Sequence, residues 1–396
     1  MKTSLILFDD SNRIDLLPLT FTRPVADIRL GILNIREKWE MMLGMPSSSL
    51  TESYLAGKFP LRTAEENLLV NAAVLPDAAL VERIRTMQPG EALVQDECIL
   101  AQCVKEEELA DAENRKKPAT LIAWDNPLRK LSRPWDVFRM NAEEILIDFK
   151  RLTENKISQD LDPSNRISGK HPFFIEEGAD IRASVFNTDE GPVYIGKNAK
   201  VMEGCLIRGP FALGEGASLK MGAKIYGGTT VGPYCKAGGE LNNVVMFGNA
   251  NKAHEGFLGN AVIGEWCNIG ADSNNSNLKN TYEEVKMWSY RQERFVSTGL
   301  QFAGLIMGDH SKCGINTMFN TGTVVGVNCN IYGAGFQRNF IPSFSWGGAS
   351  GFQLYDLDKA MKVAENVMIR RGTIFDNEDA AIFNHLHGMA KDRIRH

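Results

Sequence analysis

Residues 195–231 read IGKNAKVMEGCLIRGPFALGEGASLKMGAKIYGGTTV. Ile195, Val201, Ile207, Leu213, Leu219, Ile225 and Val231 stand six apart without a break. Four places after each comes a residue suited to a corner: Ala199, Cys205, Phe211, Ala217, Ala223, Thr229 and Cys235, of which only Phe211 is large. An α-helix repeats every 3.6 residues and a strand every 2, so neither yields a period of six. Six is the mark of the hexapeptide β-helix, in which each hexad is a short strand plus a turn and three hexads close a triangular coil. The aliphatic points into the prism, and glycines such as Gly204, Gly222 and Gly228 let the backbone turn at the corners.

The period returns at Met307, Cys313, Phe319, Val325 and Ile331, with Ser311, Thr317, Thr323, Cys329 and Gly335 at the corner position. Ile263 and Ile269 form a short piece between the runs. Val231 to Ile263 is 32 residues, two more than five hexads, and Ile269 to Met307 is 38, two more than six. The repeat therefore slips twice. Residues released from the repeat are released from packing duty, and loops on a rigid scaffold are where chemistry tends to sit.

A chain of 396 residues has room for two domains, and 43% hydrophobic with 23% charged residues is ordinary for a soluble globular protein. A net charge of −5 argues against a general nucleic-acid surface. No apolar stretch approaches the roughly 20 residues of a membrane span, and the N-terminus reaches Asp9-Asp10 too soon for a secretory leader. The seven scattered cysteines, none in C-x-x-C spacing, fit a reducing cytoplasm better than a disulfide framework or a cysteine zinc site.

Residues 1–154 read as alternating strands and helices: a strand at Ser4–Phe8, a helix over Ile28–Leu43, a strand at Leu68–Val74, a helix over Ala78–Met87, a hairpin around Leu93-Val94 and Ile99–Ala101, and a helix over Trp135–Asp148. This predicts an α/β domain with a Rossmann-like sheet. Polar residues 155–172 read as a linker, and 173–349 as the β-helix. Lys279–Gly299, with Tyr282, Trp288, Tyr290, Arg291 and Arg294, reads as an excursion from the prism. Residues 350–396 read as a helical cap, with one helix over 356–384 presenting Leu357, Met361, Ala364, Val367 and Met368 on one face.

The first slip holds Asn251-Lys252-Ala253-His254-Glu255-Gly256-Phe257-Leu258-Gly259. A histidine takes a proton near neutral pH, as an amine attacking an acyl donor requires. Beyond it, Asn268-Ile269-Gly270-Ala271 leads into the short polar run Asp272–Asn277, suited to sugar hydroxyls. Read by themselves, these are equally a surface histidine and turn-forming asparagines. The string Lys252-Ala253-His254, then Phe257-Leu258-Gly259, Ile263-Gly264, Asn268-Ile269-Gly270-Ala271 and Asn277, closely resembles the acetyltransferase centre of the bifunctional N-acetylglucosamine-1-phosphate uridyltransferase/glucosamine-1-phosphate N-acetyltransferase family. The layout is similar to its alternate-pattern bacterial branch: a nucleotidyltransferase-like domain, then a left-handed parallel β-helix. The resemblance implies that His254 is the general base for acetyl transfer from acetyl-CoA to a hexosamine-1-phosphate amine. It implies that Lys252, Asn268, Asn277 and Glu240 belong to the acceptor site. It also implies a homotrimer with coenzyme A between prisms, and no metal for acyl transfer. Leu278 replaces the family's tyrosine, and Lys279 or Lys286 stands for its following basic residue.

In the later coils the resemblance places coenzyme A near Asn316, Thr317, Gly333 and Ala334. Asp309-His310 reads either as a second functional pair or as a solvated corner. In the first domain the family's glycine-rich loop is missing: the strand runs into Asp9-Asp10-Ser11-Asn12-Arg13, with no glycine before Gly31. Arg13 and Arg23 are the expected phosphate contacts. Ala73 occupies the place of the family's magnesium-binding aspartate, so a nucleotidyl step with Mg²⁺ would draw on other carboxylates, Asp9, Asp10 or Asp125. Three readings stand beside this one. In one, the first domain only binds a nucleotide sugar; in another, the β-helix is a non-catalytic scaffold; the last, a hexapeptide carbonic anhydrase, needs three zinc histidines, for which His171, His254 and His310 are wrongly spaced.

Overall fold

The computed structural model describes residues 3–109 and 120–391. Met1, Lys2 and residues 392–396, at the outer ends of the expected domains, lie outside them. The chain divides into two compact units, Met1–Leu16 with Thr22–Ile28 and Leu33–Ser132, and Leu17–Phe21 with Arg29–Ile32 and Arg133–His396.

In the first unit, β1 (Thr3–Phe8), β2 (Ser47–Leu50), β3 (Glu66–Asn71), β4 (Glu91–Gln95), β5 (Cys98–Lys105) and β6 (Thr120–Ala123) form one sheet in the order β2-β1-β3-β5-β4-β6. β1 pairs in parallel with β2 on one side and β3 on the other, whereas β5 runs antiparallel to both its neighbours. Strand order reverses direction around β1, which opens a crevice beyond the carboxyl ends of β1, β2 and β3. The hairpin is where the sequence predicts it. The first helix is shorter than expected: α1 spans Ile35–Leu43, because Asn34 makes a capping box with Glu37 and stops the helix growing back to Ile28. α2 covers Ala78–Arg85, and Glu106–Leu109 forms a single turn, α3.

The second unit begins its parallel ladder at Arg166–Ser168, inside the stretch read as linker. Its strands pile into three faces of a β-helix. One inward row runs Ile195, Leu213, Val231, Met246, Ile263, Met307, Val325, Ile341, each paired to the next. These aliphatics, with the corner residues Ala199, Cys205, Phe211, Ala217, Ala223 and Cys235, make one continuous buried core. The long helix α4 (Asp136–Thr153) packs on this unit, where Asn141 donates to the Gly228 carbonyl at 2.8 Å and Phe149 joins Phe174 and Tyr194.

The register shows what the slips are. Val231 pairs with Met246 and Met246 with Ile263, so two whole coils occupy that interval and both are short. The missing residues come from the step Ala237 to Leu241, which has four residues instead of six, and from Leu241 to Met246 and Leu258 to Ile263, with five each. The reading as five hexads plus two is thus corrected to six hexads less four. The second slip is one coil, Ile263 to Met307, into which the predicted excursion is inserted. The excursion carries an antiparallel hairpin, Lys286–Ser289 with Arg294–Ser297, whose Trp288 stacks on Phe340 at 4.2 Å. The expected single C-terminal helix is two, α5 (Leu357–Ile369) and α6 (Asn377–Ala390). Gly372, at φ +74°, and the Asp376–Asp379 capping box break the run.

Candidate functional site

The centre suggested by the sequence lies on the shortened coils. Asn251-Lys252 is a strand on one face and Phe257–Ile263 begins on the next; between them Ala253–Gly256 turns the corner, and His254 stands exposed on that turn. The turn is fixed from both sides. The Glu240 amide donates to the Gly256 carbonyl at 3.2 Å, and the Asp272 amide donates to the Glu255 carbonyl at 2.9 Å. Lys224 pairs with the Glu255 carboxylate at 3.6 Å.

The asparagines form two pairs around it. Asn251 and Asn268 are register partners and their side chains bond at 2.8 Å, in an outward row that continues from Lys236 to Lys312. Asn277 donates to the Asn260 side chain at 2.8 Å. Asn275, which sequence reading treats only as part of a polar run, takes an inward position: it is 2% exposed and makes both hydrogen bonds to the Gly259 backbone, at 2.8 and 3.0 Å. Glu240 opens the strand that pairs with Phe257–Gly259. Glu240 thus lies beside the turn that carries His254, whereas the Asn251–Asn268 pair stands on the strand before that turn and the Asn260–Asn277 pair at the next bend, six residues on.

Lys252 does not face outward with them. It is the register partner of Ala237 and stands 1% exposed in the inward row, where every other coil carries an aliphatic, a cysteine or a glycine. Its Nζ donates to the carbonyls of His254 and Glu255, the second at 3.1 Å. Burial pulls its ammonium down to about 8. The expectation that Lys252 contacts an acceptor is corrected: the corner step after Ala237 is two residues short, and the lysine fills the space beneath the next turn.

Of the later residues, Asn316 is exposed at a corner with φ +56°, and Gly333 and Ala334 are exposed. Thr317 is 1% exposed and spends its hydroxyl on the Gly314 carbonyl at 2.9 Å, leaving no side-chain group for a coenzyme. Asp309-His310 is not a solvated corner. Asp309 accepts from the Glu265 amide at 2.7 Å, and the His310 ring lies between Trp266 and Phe383 of α6.

In the first unit the crevice beyond β1–β3 holds a polar cluster. Asp9 accepts from the Val25 amide at 2.9 Å and from Thr51 at 2.6 Å, and burial raises its carboxyl to about 6. Asp10 accepts from Asn71 at 2.9 Å and Lys130 at 3.0 Å; burial opposes ionisation, but these partners outweigh it and hold the carboxyl below its usual range. Lys130 also reaches the Cys98 sulfur at 3.1 Å. Arg13 pairs with Asp9 at 3.2 Å and donates to Tyr54 at 2.9 Å, and Arg23 is 5% exposed. Sequence reading missed Asn71, Lys130 and Tyr54. Asn71 was readable as the one polar residue closing an apolar strand, whereas Lys130 and Tyr54 reach the crevice only through the fold.

The donor set does not fit a magnesium ion. Asp10 is already neutralised by Lys130, Asp9 is tied to Arg13, and Asp125 stands exposed after β6. Among the described residues no group of three or more His, Cys, Asp or Glu is gathered to hold a metal.

Residues 5–157 match the sugar nucleotidyl transferase family model. The bifunctional protein GlmU of Methanococcus aeolicus is 26% identical over 261 residues, 66% of this chain and 54% of that protein. The chain is thus similar to GlmU proteins over part of its length. The GlmU of Methanocaldococcus jannaschii is 33% identical over 90 residues, 23% of this chain and 21% of its own. An uncharacterized acetyltransferase, YaiX of Escherichia coli, is 25% identical over 183 residues, 46% of this chain and 76% of its own. The chain spans about a fifth and about half of the two GlmU proteins it matches. An Arabidopsis UDP-N-acetylglucosamine acyltransferase structure aligns with 54% of the chain and 80% of its own, at 15% identity and a TM-score of 0.25. No helix among the described residues is long and apolar enough to cross a membrane.

Proposed function

We propose that the β-helix transfers an acetyl group from acetyl-CoA to the amine of a hexosamine-1-phosphate, with His254 as general base. The observation that carries this is an exposed imidazole on a turn clamped by both neighbouring coils. The amine lone pair attacks the thioester carbonyl carbon and a C–N bond forms. His254 takes the proton the nitrogen sheds, the C–S bond breaks, and the thiolate leaves. Asn268, Asn277 and Glu240 supply hydroxyl-binding groups, and the exposed backbone at Asn316, Gly333 and Ala334 offers coenzyme A a path along the later coils. A homotrimer completes the groove with a neighbouring prism; light scattering giving three chains per particle supports it, and an active monomer contradicts it.

The first unit, in this reading, holds the sugar nucleotide or its triphosphate precursor. Lys130 is the half-buried cation that meets phosphate in this reading, with Arg13 and Arg23 buried behind it, and the whole belongs to sugar-nucleotide synthesis in the cytoplasm. The test is a pair of assays on the intact protein: thiol release from acetyl-CoA with glucosamine 1-phosphate, and pyrophosphate release from UTP with N-acetylglucosamine 1-phosphate. Activity in the first alone makes the first unit a binding module. Activity in neither leaves a scaffold and refutes the proposal.

A further inference from the structure

Three features converge on the Ala253–Gly256 turn. The corner below it has only two residues, Gly238 and Gly239, between the flanking strands Lys236–Ala237 and Glu240–Met246. Neither tolerates a side chain: a Cβ on Gly238 would stand 2.4 Å from the Ala253 carbonyl oxygen, and one on Gly239 2.7 Å from that of Gly256 and 2.9 Å from that of His254. The third feature is Lys252, rising from inside the prism to the carbonyls of His254 and Glu255. A β-helix core has no packing use for an ammonium, and a desolvated charge there is costly unless it is hydrogen-bonded. Leu258, one hexad on, and Ile269, at the same place in the next coil, show what packing alone selects.

We infer that Lys252 is a positioning residue: it anchors the turn from within, fixing the two peptide planes that follow His254 and so the direction in which the imidazole leaves the prism. The shortened corner makes the room, the two glycines let the turn descend, and the lysine satisfies the carbonyls that descend with it. The ring itself stays outside, free to meet a substrate. This role rests on the assignment of His254 as base, but the anchoring itself is measurable without it.

The experiment uses the full-length protein and Lys252→Met, which keeps the length of the side chain and removes the donors. Hydrogen exchange followed by mass spectrometry should show peptides covering 251–258 exchanging about tenfold faster than in the parent, with those covering 240–246 unchanged. Acetyl transfer from acetyl-CoA to glucosamine 1-phosphate should lose about 10- to 100-fold in kcat, while KM for the sugar phosphate moves less than about threefold. Unchanged exchange in 251–258 overturns the anchoring. A raised KM with unchanged kcat overturns it also, by making Lys252 a substrate contact. If the parent protein transfers no acetyl group, the functional reading fails while the exchange result still decides the anchor.

Discussion

Lys252 is a polar residue placed where the fold asks for an apolar one, and its burial makes its stability effect opposite in sign to that of a structural ion pair. Its folded-state ammonium titrates near about 8, against 10.5 for a free lysine. Between those values the unfolded chain holds a proton that the folded chain has released, so the group's contribution to stability rises with pH across that window. Denaturant midpoints taken at about pH 7.5 and about pH 10 should show this rise in the parent and lack it in Lys252→Met. The variant should be about 1–3 kcal/mol less stable than the parent at neutral pH, since the His254 and Glu255 carbonyls lose their donor. A variant as stable as the parent contradicts this.

At the scale of elements, the coil was legible because its inward row is a sequence signal in itself: Ile195 to Val231 repeats without error and every one of those residues is buried. The slips were legible as slips but not as shortened coils, because two added residues and four missing ones leave the same remainder in a period of six. Only the pairing of Val231 with Met246 distinguishes them. Of the site, the turn carrying His254 was readable from its motif, whereas the inward direction of Lys252 and Asn275 depends on which strand faces which. In the first unit the single helix expected over Ile28–Leu43 failed at a cap that Asn34 and Glu37 spell out. Gly239 and Gly222 offer a controlled comparison of corners, both having positive φ, +72° and +71°. A Cβ on Gly222 meets nothing within 4 Å, while one on Gly239 runs into two carbonyl oxygens. Gly222→Ala should cost about 1 kcal/mol for its backbone conformation alone. Gly239→Ala should cost about 2–3 kcal/mol more, read as the difference in urea unfolding free energies. Equal costs would mean the turn is not pressed onto this corner.

For the whole molecule, each of the two units carries its own polar cluster. The sheet's crevice gathers Asp9, Asp10, Asn71 and Lys130 from the ends of different strands, and the β-helix gathers Glu240, His254, Asn268 and Asn277 from successive coils. Lys130 holds Asp10 ionised and is the half-buried ammonium of the crevice. Calorimetry should therefore find Lys130→Met binding UDP-N-acetylglucosamine about tenfold more weakly than the parent, with acetyl transfer unaffected. Equal affinity would place the nucleotide elsewhere. The most direct measurement of the central claim is thiol release from acetyl-CoA in the presence of glucosamine 1-phosphate, comparing the parent with His254→Ala at matched thermal stability. The account predicts a loss of at least about 100-fold in kcat for the variant; an unchanged rate would contradict it.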